Sequence, residues 1–244
     1  MKILITGATS GIGLALSKLY NSHHHEVIAI GRNKQALIAL ENEGIEVWQL
    51  DLVDLNSTRS TFQKLKEKHG LIDLAILNAG NCEYVDCKNF NAELIKRVFD
   101  ANIITLANSI EGVLPLLRNS HNPHLAGVAS MAGYLPLSRA EAYGASKAAA
   151  NYLLETLAID LKEENIMVSV INPGFVKTPL TAKNDFPMPF ALEVGSAAEI
   201  IFNGLAAKKA EIDFPLRLTI PMKFMSILPR SWWRKLAEKL KRKD

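Results

Sequence analysis

Two side chains four residues apart, Tyr143 and Lys147, form the pair in this sequence best suited to proton transfer. The surrounding AYGASKAA predicts a helix, on which positions four apart share a face. An ammonium beside a phenol lowers the pKa of the phenol, which lets a tyrosine exchange protons near neutral pH. Ser130 precedes Tyr143 and offers a hydroxyl to a substrate oxygen. The alternative for the pair is an amphipathic helix with a boundary tyrosine and a solvated lysine.

The second group with chemical potential is TGATSGIG at residues 6–13, in which Gly7, Gly11 and Gly13 separate an apolar run from a helical pattern. The helical pattern begins at Gly13, and a helix N-terminus presents unpaired N–H groups and a partial positive charge. Glycines let a phosphate approach that backbone closely. The loop therefore predicts an anion site, and a tight strand-to-helix turn without ligand is the alternative.

Strand-like and helix-like segments alternate along the chain and must position these groups. Near-continuous apolar strands joined by helices indicate a doubly wound parallel sheet with helices on both faces. Such sheets bind ligands beyond the carboxyl ends of their strands. Strands are predicted at 2–6, 26–30, 45–50, 72–77, 124–130, 166–174 and 211–214, and helices at 33–44, 54–70, 91–118, 140–164 and 196–209.

Six motifs in order resemble the short-chain dehydrogenase/reductase family over about residues 2–214. They are TGATSGIG, NAG at Asn78–Gly80, Asn102 in FDANI, Ser130, Tyr143 with Lys147, and PGFVKT at Pro173–Thr178. The resemblance implies a single-domain Rossmann-type fold and an oxidoreductase that interconverts a ketone or aldehyde and an alcohol. Leu77 departs from the family pattern, which often has asparagine before NAG.

The resemblance also implies roles for individual residues. Tyr143 would be the general acid or base, and Lys147 would lower its pKa and bind the nicotinamide ribose. Ser130 would orient the carbonyl, and Asn102 would hold a water that links Lys147 to solvent. The implied cofactor contacts, with no metal, are Gly7, Ser10, Gly11, Ile12, Gly13, Arg32, Asp51, Leu52, Asn78, Ala79, Gly80, Tyr143, Lys147, Pro173, Gly174, Val176 and Thr178.

The segment after the second strand bears on the choice of dinucleotide. An acid that binds the ribose diol is expected there in an NAD enzyme, but the chain has Gly31 followed by Arg32. A guanidinium can pair with a 2′-phosphate. The pattern favours NADP(H); NAD(H), with Arg32 flanking the adenine, stays open.

Two functions from different classes follow. The first is an NADP(H)-dependent oxidoreductase; the alternative is a non-catalytic dinucleotide-binding sensor or interaction protein, which has no need of Tyr143 and Lys147 together. The stretch TPLTAKNDFPMPFALEVG, with the apolar residues Leu180, Phe186, Met188, Phe190 and Leu192, indicates a hydrophobic substrate or, as the alternative, closure onto the protein's own core. The family usually pairs the helices at 91–118 and 140–164, which implies a homodimer or homotetramer.

Composition separates a mildly acidic body from a basic tail. The 244 residues are 48% hydrophobic and carry a net charge of +3. Residues 216–244 hold nine Lys/Arg and two Asp/Glu, a balance of +7, which leaves −4 for residues 1–215. We therefore expect a catalytic domain at 1–215 and a basic amphipathic extension at 216–244.

The extension predicts an amphipathic helix whose apolar stripe is Trp232, Leu236 and Leu240, with Lys235, Lys239, Lys241, Arg242 and Lys243 mostly at other positions. Such a helix suits an anionic membrane surface. The alternative is that Met222–Leu228 closes over the cleft or packs on a partner subunit, with a solvated last helix. Nucleic-acid binding is not expected, because the rest of the chain does not extend the basic patch.

Cysteine content and the N-terminus bear on location. Two cysteines are too few for a disulfide framework, and the first strand starts at once without a signal peptide. No apolar run is long enough to span a bilayer. We expect a cytoplasmic protein, with membrane association through the tail as a further option.

Overall fold

The structure is a computed structural model that describes residues 1–240. A seven-stranded parallel sheet runs through it in the order β3-β2-β1-β4-β5-β6-β9. Its strands are β1 (Lys2–Thr6), β2 (Glu26–Gly31), β3 (Glu46–Gln49), β4 (Leu74–Leu77), β5 (His124–Val128), β6 (Met167–Pro173) and β9 (Glu211–Phe214). A separate parallel pair joins β7 (Val176–Lys177) to β8 (Leu192–Glu193).

The helices cover both faces of the sheet, as predicted. They are α1 (Gly11–Ser22), α2 (Lys34–Asn42), α3 (Leu55–His69), α4 (Ala92–Phe99), α5 (Thr105–Leu117), α6 (Glu141–Asp160), α7 (Val194–Ala206), α8 (Leu216–Ile227) and α9 (Arg230–Leu240). Helix α1 begins at Gly11, two residues before the predicted start, because the N–H of Leu14 already donates to the carbonyl oxygen of Ser10 at 3.2 Å. A segment of π-helix, Asp100–Ile104, joins α4 to α5 inside the stretch predicted as one helix.

Two apolar cores lie on the two sides of the sheet because side chains alternate along each strand. On one side, Leu4 of β1 packs with buried residues of α3, α5 and α6, among them Phe62 and Leu154. On the other side, Ile3 and Ile5 pack with α1 and α7. Burial on both faces explains why the strand segments read as continuous apolar runs.

One polar group is buried at the opposite end of the sheet from the strands' carboxyl ends. His124 begins β5, and its Nε2 lies 2.7 Å from Ser169 Oγ, which in turn donates to the carbonyl oxygen of Lys209 at 2.6 Å. Since that hydroxyl gives its proton to Lys209, it accepts from His124 Nε2–H. Burial, with a smaller effect of Lys208, lowers the pKa of His124 to about 4.

The tail differs from its prediction. It contains two helices rather than one, and α8 packs directly against the sheet edge, where Lys223 pairs with Asp213 of β9. In α9 the buried aromatic residue is Trp233, whose Nε1 donates to the carbonyl oxygen of Pro136. Trp232 and Leu236 of the predicted stripe are exposed. The side chain of Leu240 and the predicted basic residues Lys241, Arg242 and Lys243 lie outside what the structure describes.

Candidate active site

The glycine loop between β1 and α1 is shaped by close backbone approaches. Gly7 and Gly11 have φ of +66° and +52°, a region that favours glycine. A Cβ on Gly7 would lie 2.8 Å from the Cα of Ala79, so the loop rests on the chain that leaves β4. A Cβ on Gly13 would lie 2.3 Å from the carbonyl oxygen of Gly7. Gly13 therefore serves the packing of α1 under the loop and lies behind the cleft wall.

Side chains from two strand ends hold this loop in place. Thr6 Oγ1 accepts hydrogen bonds from the backbone N–H groups of Asn78 and Ala79, at 3.0 and 3.2 Å. The Asn78 amide donates to the carbonyl oxygens of Thr6 and Gly7, both at 3.3 Å. At the N-cap of α1, among the described residues, the Ser10 side chain accepts no capping hydrogen bond. The first-turn N–H groups therefore remain for an anion.

A cleft of about 430 Å³ opens at the carboxyl ends of the strands. Of the predicted site residues, those that line it are Gly7, Ser10, Gly11, Ile12, Arg32, Asp51, Leu52, Asn78, Ala79, Gly80, Ser130, Tyr143, Lys147, Pro173, Gly174, Val176 and Thr178. Gly13 and Asn102 are the two that lie behind it. The wall also contains Leu180 and Lys183, from the stretch predicted to shape the substrate pocket, and residues that the sequence did not indicate, including Thr9 and Ala101.

The Arg32 end of the cleft is open and polar. The Arg32 side chain is 72% exposed, and one of its guanidinium nitrogens lies 3.8 Å from a carboxylate oxygen of Asp51. A Cβ on Gly31 would lie 2.4 Å from Thr9 Cγ2, so this position has no room for an acidic side chain. Arg32 therefore provides the cation here, and Asp51 is the carboxylate that faces it.

Ser130, Tyr143 and Lys147 meet at the other end of the cleft. Ser130 follows β5, where its hydroxyl accepts from the N–H of Ala132 at 3.1 Å. Lys147 is 5% exposed, and its ammonium donates to the carbonyl oxygen of Val128 at 2.8 Å. Lys147 Nζ lies 5.8 Å from the centre of the Tyr143 ring. The two helix residues and the serine thus face one small volume.

The ionisation of this group differs from the prediction. Burial raises the pKa of Tyr143 to about 12, and a hydrogen bond with Ser130 offsets part of that rise. Burial lowers the pKa of Lys147 to about 8. Lys147 was predicted to lower the pKa of Tyr143, but its ammonium donates to Val128, and desolvation is the largest influence on the phenol. The raised pKa suits Tyr143 as a proton donor.

Asn102 lies in the π-helical segment and connects two parts of the site. Its Oδ1 accepts from the N–H of Asn81 at 2.7 Å, and its Nδ2 donates to Ser146 Oγ at 2.8 Å. A Cβ on Gly80 would lie 2.8 Å from Asn102 Oδ1 and 3.6 Å from Lys147 Nζ. Asn102 thus ties the NAG loop to α6, one turn from Tyr143, without lining the cleft. π-Segments within helices are often found at functional sites.

The segment after Thr178 is clasped from across the cleft by residues that sequence reasoning missed. Tyr84 donates its hydroxyl hydrogen to Asn184 at 2.8 Å and meets the ring of Phe186 edge-on at 5.5 Å. Arg139 pairs with Asp185 at 3.0 Å and lies over the Tyr84 ring. No sequence signal links Tyr84 to a partner 100 positions away. Phe190, from the predicted apolar lining, is exposed.

Comparisons with known proteins bear on this geometry. The family described as short chain dehydrogenase matches residues 1–187. An uncharacterised oxidoreductase of Myxococcus xanthus is 34% identical over 98% of this chain and 96% of its own. The chain belongs to the short-chain dehydrogenase family. It is accordingly an oxidoreductase, and the expected doubly wound Rossmann-type fold is confirmed.

Solved structures support the fold. A short-chain dehydrogenase/reductase of Burkholderia phymatum in complex with NAD has a TM-score of 0.81 at 22% identity, with 91% of this chain and 92% of that chain covered. A short-chain dehydrogenase of Sphingobium yanoikuyae in complex with NADPH has a TM-score of 0.80 at 24% identity, with 99% and 96% covered. Both likenesses show that this chain shares their overall fold.

Neither a metal-ligand cluster nor a membrane-spanning helix occurs in residues 1–240. Within residues 1–240, no three His, Cys, Asp or Glu side chains gather as metal ligands would. Over the same described part of the chain, every helix is too short or too polar to cross a bilayer.

Proposed function

We propose that this member of the family is an NADP(H)-dependent oxidoreductase that interconverts a carbonyl and an alcohol, with Tyr143 as general acid and base. The observation that carries the proposal is that Ser130, Tyr143 and Lys147 share one cleft with the glycine loop. One end of the cleft has a loop that can bind an anion, and the other end has a proton donor. This combination suits a dinucleotide-dependent reaction. It disfavours the non-catalytic sensor, which needs only the loop.

The residues present fit a nicotinamide dinucleotide. The first-turn N–H groups of α1 would hold the pyrophosphate, and Gly7 and Gly11 would let it approach the backbone. Asn78, Ala79 and Gly80 would pass beneath the adenosine side, and Asp51 with Leu52 would meet the adenine. Pro173, Gly174, Val176 and Thr178 would hold the carboxamide end. When bound, the cofactor supplies or accepts the hydride.

The chain's own groups manage the proton. In reduction, Tyr143 Oη gives its proton to the carbonyl oxygen, and the Ser130 hydroxyl hydrogen-bonds the charge that develops there. The high pKa of Tyr143 keeps its proton available at neutral pH. The Lys147 ammonium, a few ångströms from the ring, stabilises the phenolate left behind. In oxidation the same phenolate is the base.

Asn102 acts as a positioning residue in this proposal. Its amide holds Asn81 and Ser146, so it sets the distance between the NAG loop and α6. The water relay that the family resemblance implies for Asn102 remains a prediction. In this structure both polar atoms of the Asn102 side chain are hydrogen-bonded to protein groups.

NADP(H) is the proposed preference because of Gly31 and Arg32. Thr9 leaves no space at Gly31 for an acidic side chain, whose carboxylate would bind a ribose diol and repel a 2′-phosphate. Arg32 stands exposed beside it and can pair with that phosphate. Asp51 weakens the preference for NADP(H), because its carboxylate competes with the 2′-phosphate for the Arg32 guanidinium.

Four further expectations stay proposals. A homodimer or homotetramer would pair the helices at 91–118 and 140–164, where Ile104, Tyr152 and Ile159 are exposed apolar residues. A hydrophobic carbonyl substrate suits the apolar contacts of Leu180 and Phe186. Residues 1–215 would form the catalytic unit, whose last strand ends at Phe214. The cytoplasmic location is likewise untested.

Tyr143→Phe tests the mechanism, with Tyr152→Phe as the matched control on the exposed face of the same helix. NADPH and NADH oxidation is followed against a panel of ketones and aldehydes, with binding of both cofactors measured in parallel. We expect turnover to vanish in Tyr143→Phe while NADPH binding persists, and to be unchanged in Tyr152→Phe. Equal turnover in both variants would refute the role of Tyr143.

A further inference from the structure

Helix α8 turns an apolar face toward solvent. Leu216, Ile220, Phe224 and Ile227 follow each other at steps of four, four and three residues, which places them on one side of the helix. Each of these side chains is between 59% and 78% exposed. We call these four residues the α8 stripe. Large apolar residues gathered on one exposed helix face mark an interaction surface.

The inward side of α8 makes polar contacts with the protein, which fixes this orientation. Lys223 points inward to carboxylates of Glu211 and Asp213, at 2.6 and 2.5 Å. Thr219, 1% exposed, donates its hydroxyl hydrogen to the carbonyl oxygen of Pro215 at 2.9 Å. An ordinary surface helix turns its largest apolar residues inward, whereas α8 leaves these four exposed. Turning the stripe inward would break both ion pairs of Lys223 and expose Thr219, so the exposure is built into the fold.

The next helix adds positive charge beside the stripe. Helix α9 follows after Leu228 and Pro229, and Trp233 anchors it through its bond to Pro136. Its described exposed cations are Arg230, Arg234, Lys235 and Lys239, against the single acid Glu238. Trp232 is 61% exposed. Tryptophan and basic residues next to an apolar face are the composition of helices that lie in a membrane interface.

We propose that α8 and α9 dock this protein on the surface of an anionic lipid bilayer. The stripe would enter the boundary between headgroups and acyl chains, and the α9 cations would pair with anionic headgroups. Charge complementarity selects this occupant over a second copy of the chain. An isologous contact through the stripe would bring two sets of α9 cations together, at an electrostatic cost.

The inner side of α8 lies against the substrate end of the cleft. A Cβ on Gly174, which lines the cleft, would lie 3.3 Å from Leu218 Cδ2 and 3.0 Å from Met131 Sδ. Helix α8 thus packs against the cleft-lining residue Gly174 with one side and carries the docked surface on its other side. If the proposed function holds, this placement favours apolar carbonyl compounds dissolved in the bilayer as substrates; the docking itself does not depend on it.

Vesicle co-sedimentation of the full chain tests the docking without any assay of activity. One set of vesicles is phosphatidylcholine alone, and the other is a mixture of phosphatidylcholine and phosphatidylglycerol. We expect the wild type to pellet with the mixed vesicles and to stay in solution with the neutral ones. Pelleting with neither set would overturn the proposal.

Two double variants separate the apolar and the charged contributions. Ile220→Ser/Phe224→Ser should lose pelleting, whereas Ile38→Ser, an exposed apolar residue on α2, should keep it. Arg234→Gln/Lys235→Gln should weaken binding about thirtyfold, since one cation near the surface contributes about fivefold. Lys64→Gln/Lys66→Gln on α3 is the matched control and should retain wild-type binding.

NADPH affinity and thermal unfolding identify variants that fail to fold, and the two control variants on α2 and α3 show the background. Size-exclusion chromatography with light scattering measures the mass of each protein. If the stripe variant has a smaller mass than the wild type and neither protein pellets, the stripe is an interface between copies and the membrane proposal is wrong. Equal loss of pelleting in the stripe variant and in Ile38→Ser would also overturn it.

Discussion

Acidification should destabilise this protein through one buried histidine. His124 is 6% exposed, and its pKa is lowered from 6.5 to about 4 because burial disfavours the imidazolium. In the unfolded chain the same ring takes up a proton near pH 6.5. Between these two values the unfolded state binds more protons than the folded state, so the free energy of unfolding falls as the pH falls.

The size of this effect follows from the shift. A lowering from 6.5 to about 4 corresponds to about 3 kcal/mol at about 1.4 kcal/mol per pH unit. The contribution is fully present above pH 6.5 and fully lost below about pH 4. Typical domains have about 5–15 kcal/mol of stability, so this one group carries a sizeable fraction of it.

The comparison variant is His124→Gln, whose side-chain amide can still donate to Ser169 but does not titrate. Urea unfolding of both proteins at intervals from about pH 7 to about pH 4 gives two stability curves. The other titrating groups are common to both proteins and cancel in the difference. The variant should gain about 3 kcal/mol on the wild type as the pH falls. Parallel curves would show that His124 does not titrate with a lowered pKa.

Three further predictions concern the site. Because the pKa of Lys147 is about 8, kcat/KM for NADPH should be constant below that pH and fall about tenfold per pH unit above it. A profile that stays flat to pH 10 would contradict a requirement for protonated Lys147. Arg32→Ser should raise the Kd for NADPH about tenfold and leave the Kd for NADH unchanged. The factor is at the low end for a hydrogen bond to a charged group because the Arg32 side chain is exposed. Equal changes in Kd for both cofactors, measured by fluorescence titration, would exclude a 2′-phosphate contact. Gly7→Ala and Gly44→Ala should both lose about 1–2 kcal/mol of stability, because alanine disfavours a left-handed backbone. Only Gly7 lies against neighbouring backbone, so only Gly7→Ala should lose NADPH binding. Similar NADPH binding by both variants would show that the close approach does not shape the loop.

Much of the fold could be predicted because its strands are short, apolar and buried on both faces. Ile3 to Ile5 are apolar on both sides, which excludes a half-exposed strand, and the alternation with helices then requires a parallel sheet. The candidate residues followed from the same rule, because strand ends in such a sheet share one edge.

Features that depend on long-range contacts could not be predicted. The bond from Tyr84 to Asn184 joins positions 100 apart, and only the folded chain brings them together. Spacing placed the apolar stripe of the tail on Trp232, yet Trp233 is the residue that finds a carbonyl partner in Pro136. The pKa of Tyr143 depends on how deeply it is buried, which residue spacing does not specify.

The clasped segment between Thr178 and β8 has a consequence for how the substrate range of this enzyme can change. It joins the two strands of the separate β7–β8 pair and is held mainly by side chains such as Tyr84 and Arg139. Replacing the segment would therefore leave the seven-stranded sheet, the glycine loop and the proton donor intact. Natural sequence variation and laboratory libraries can both replace the clasped segment. Residues 84 and 139 should be varied together with it, so that each new segment is still held in place by side-chain contacts. Selectivity can thus evolve separately from the chemistry.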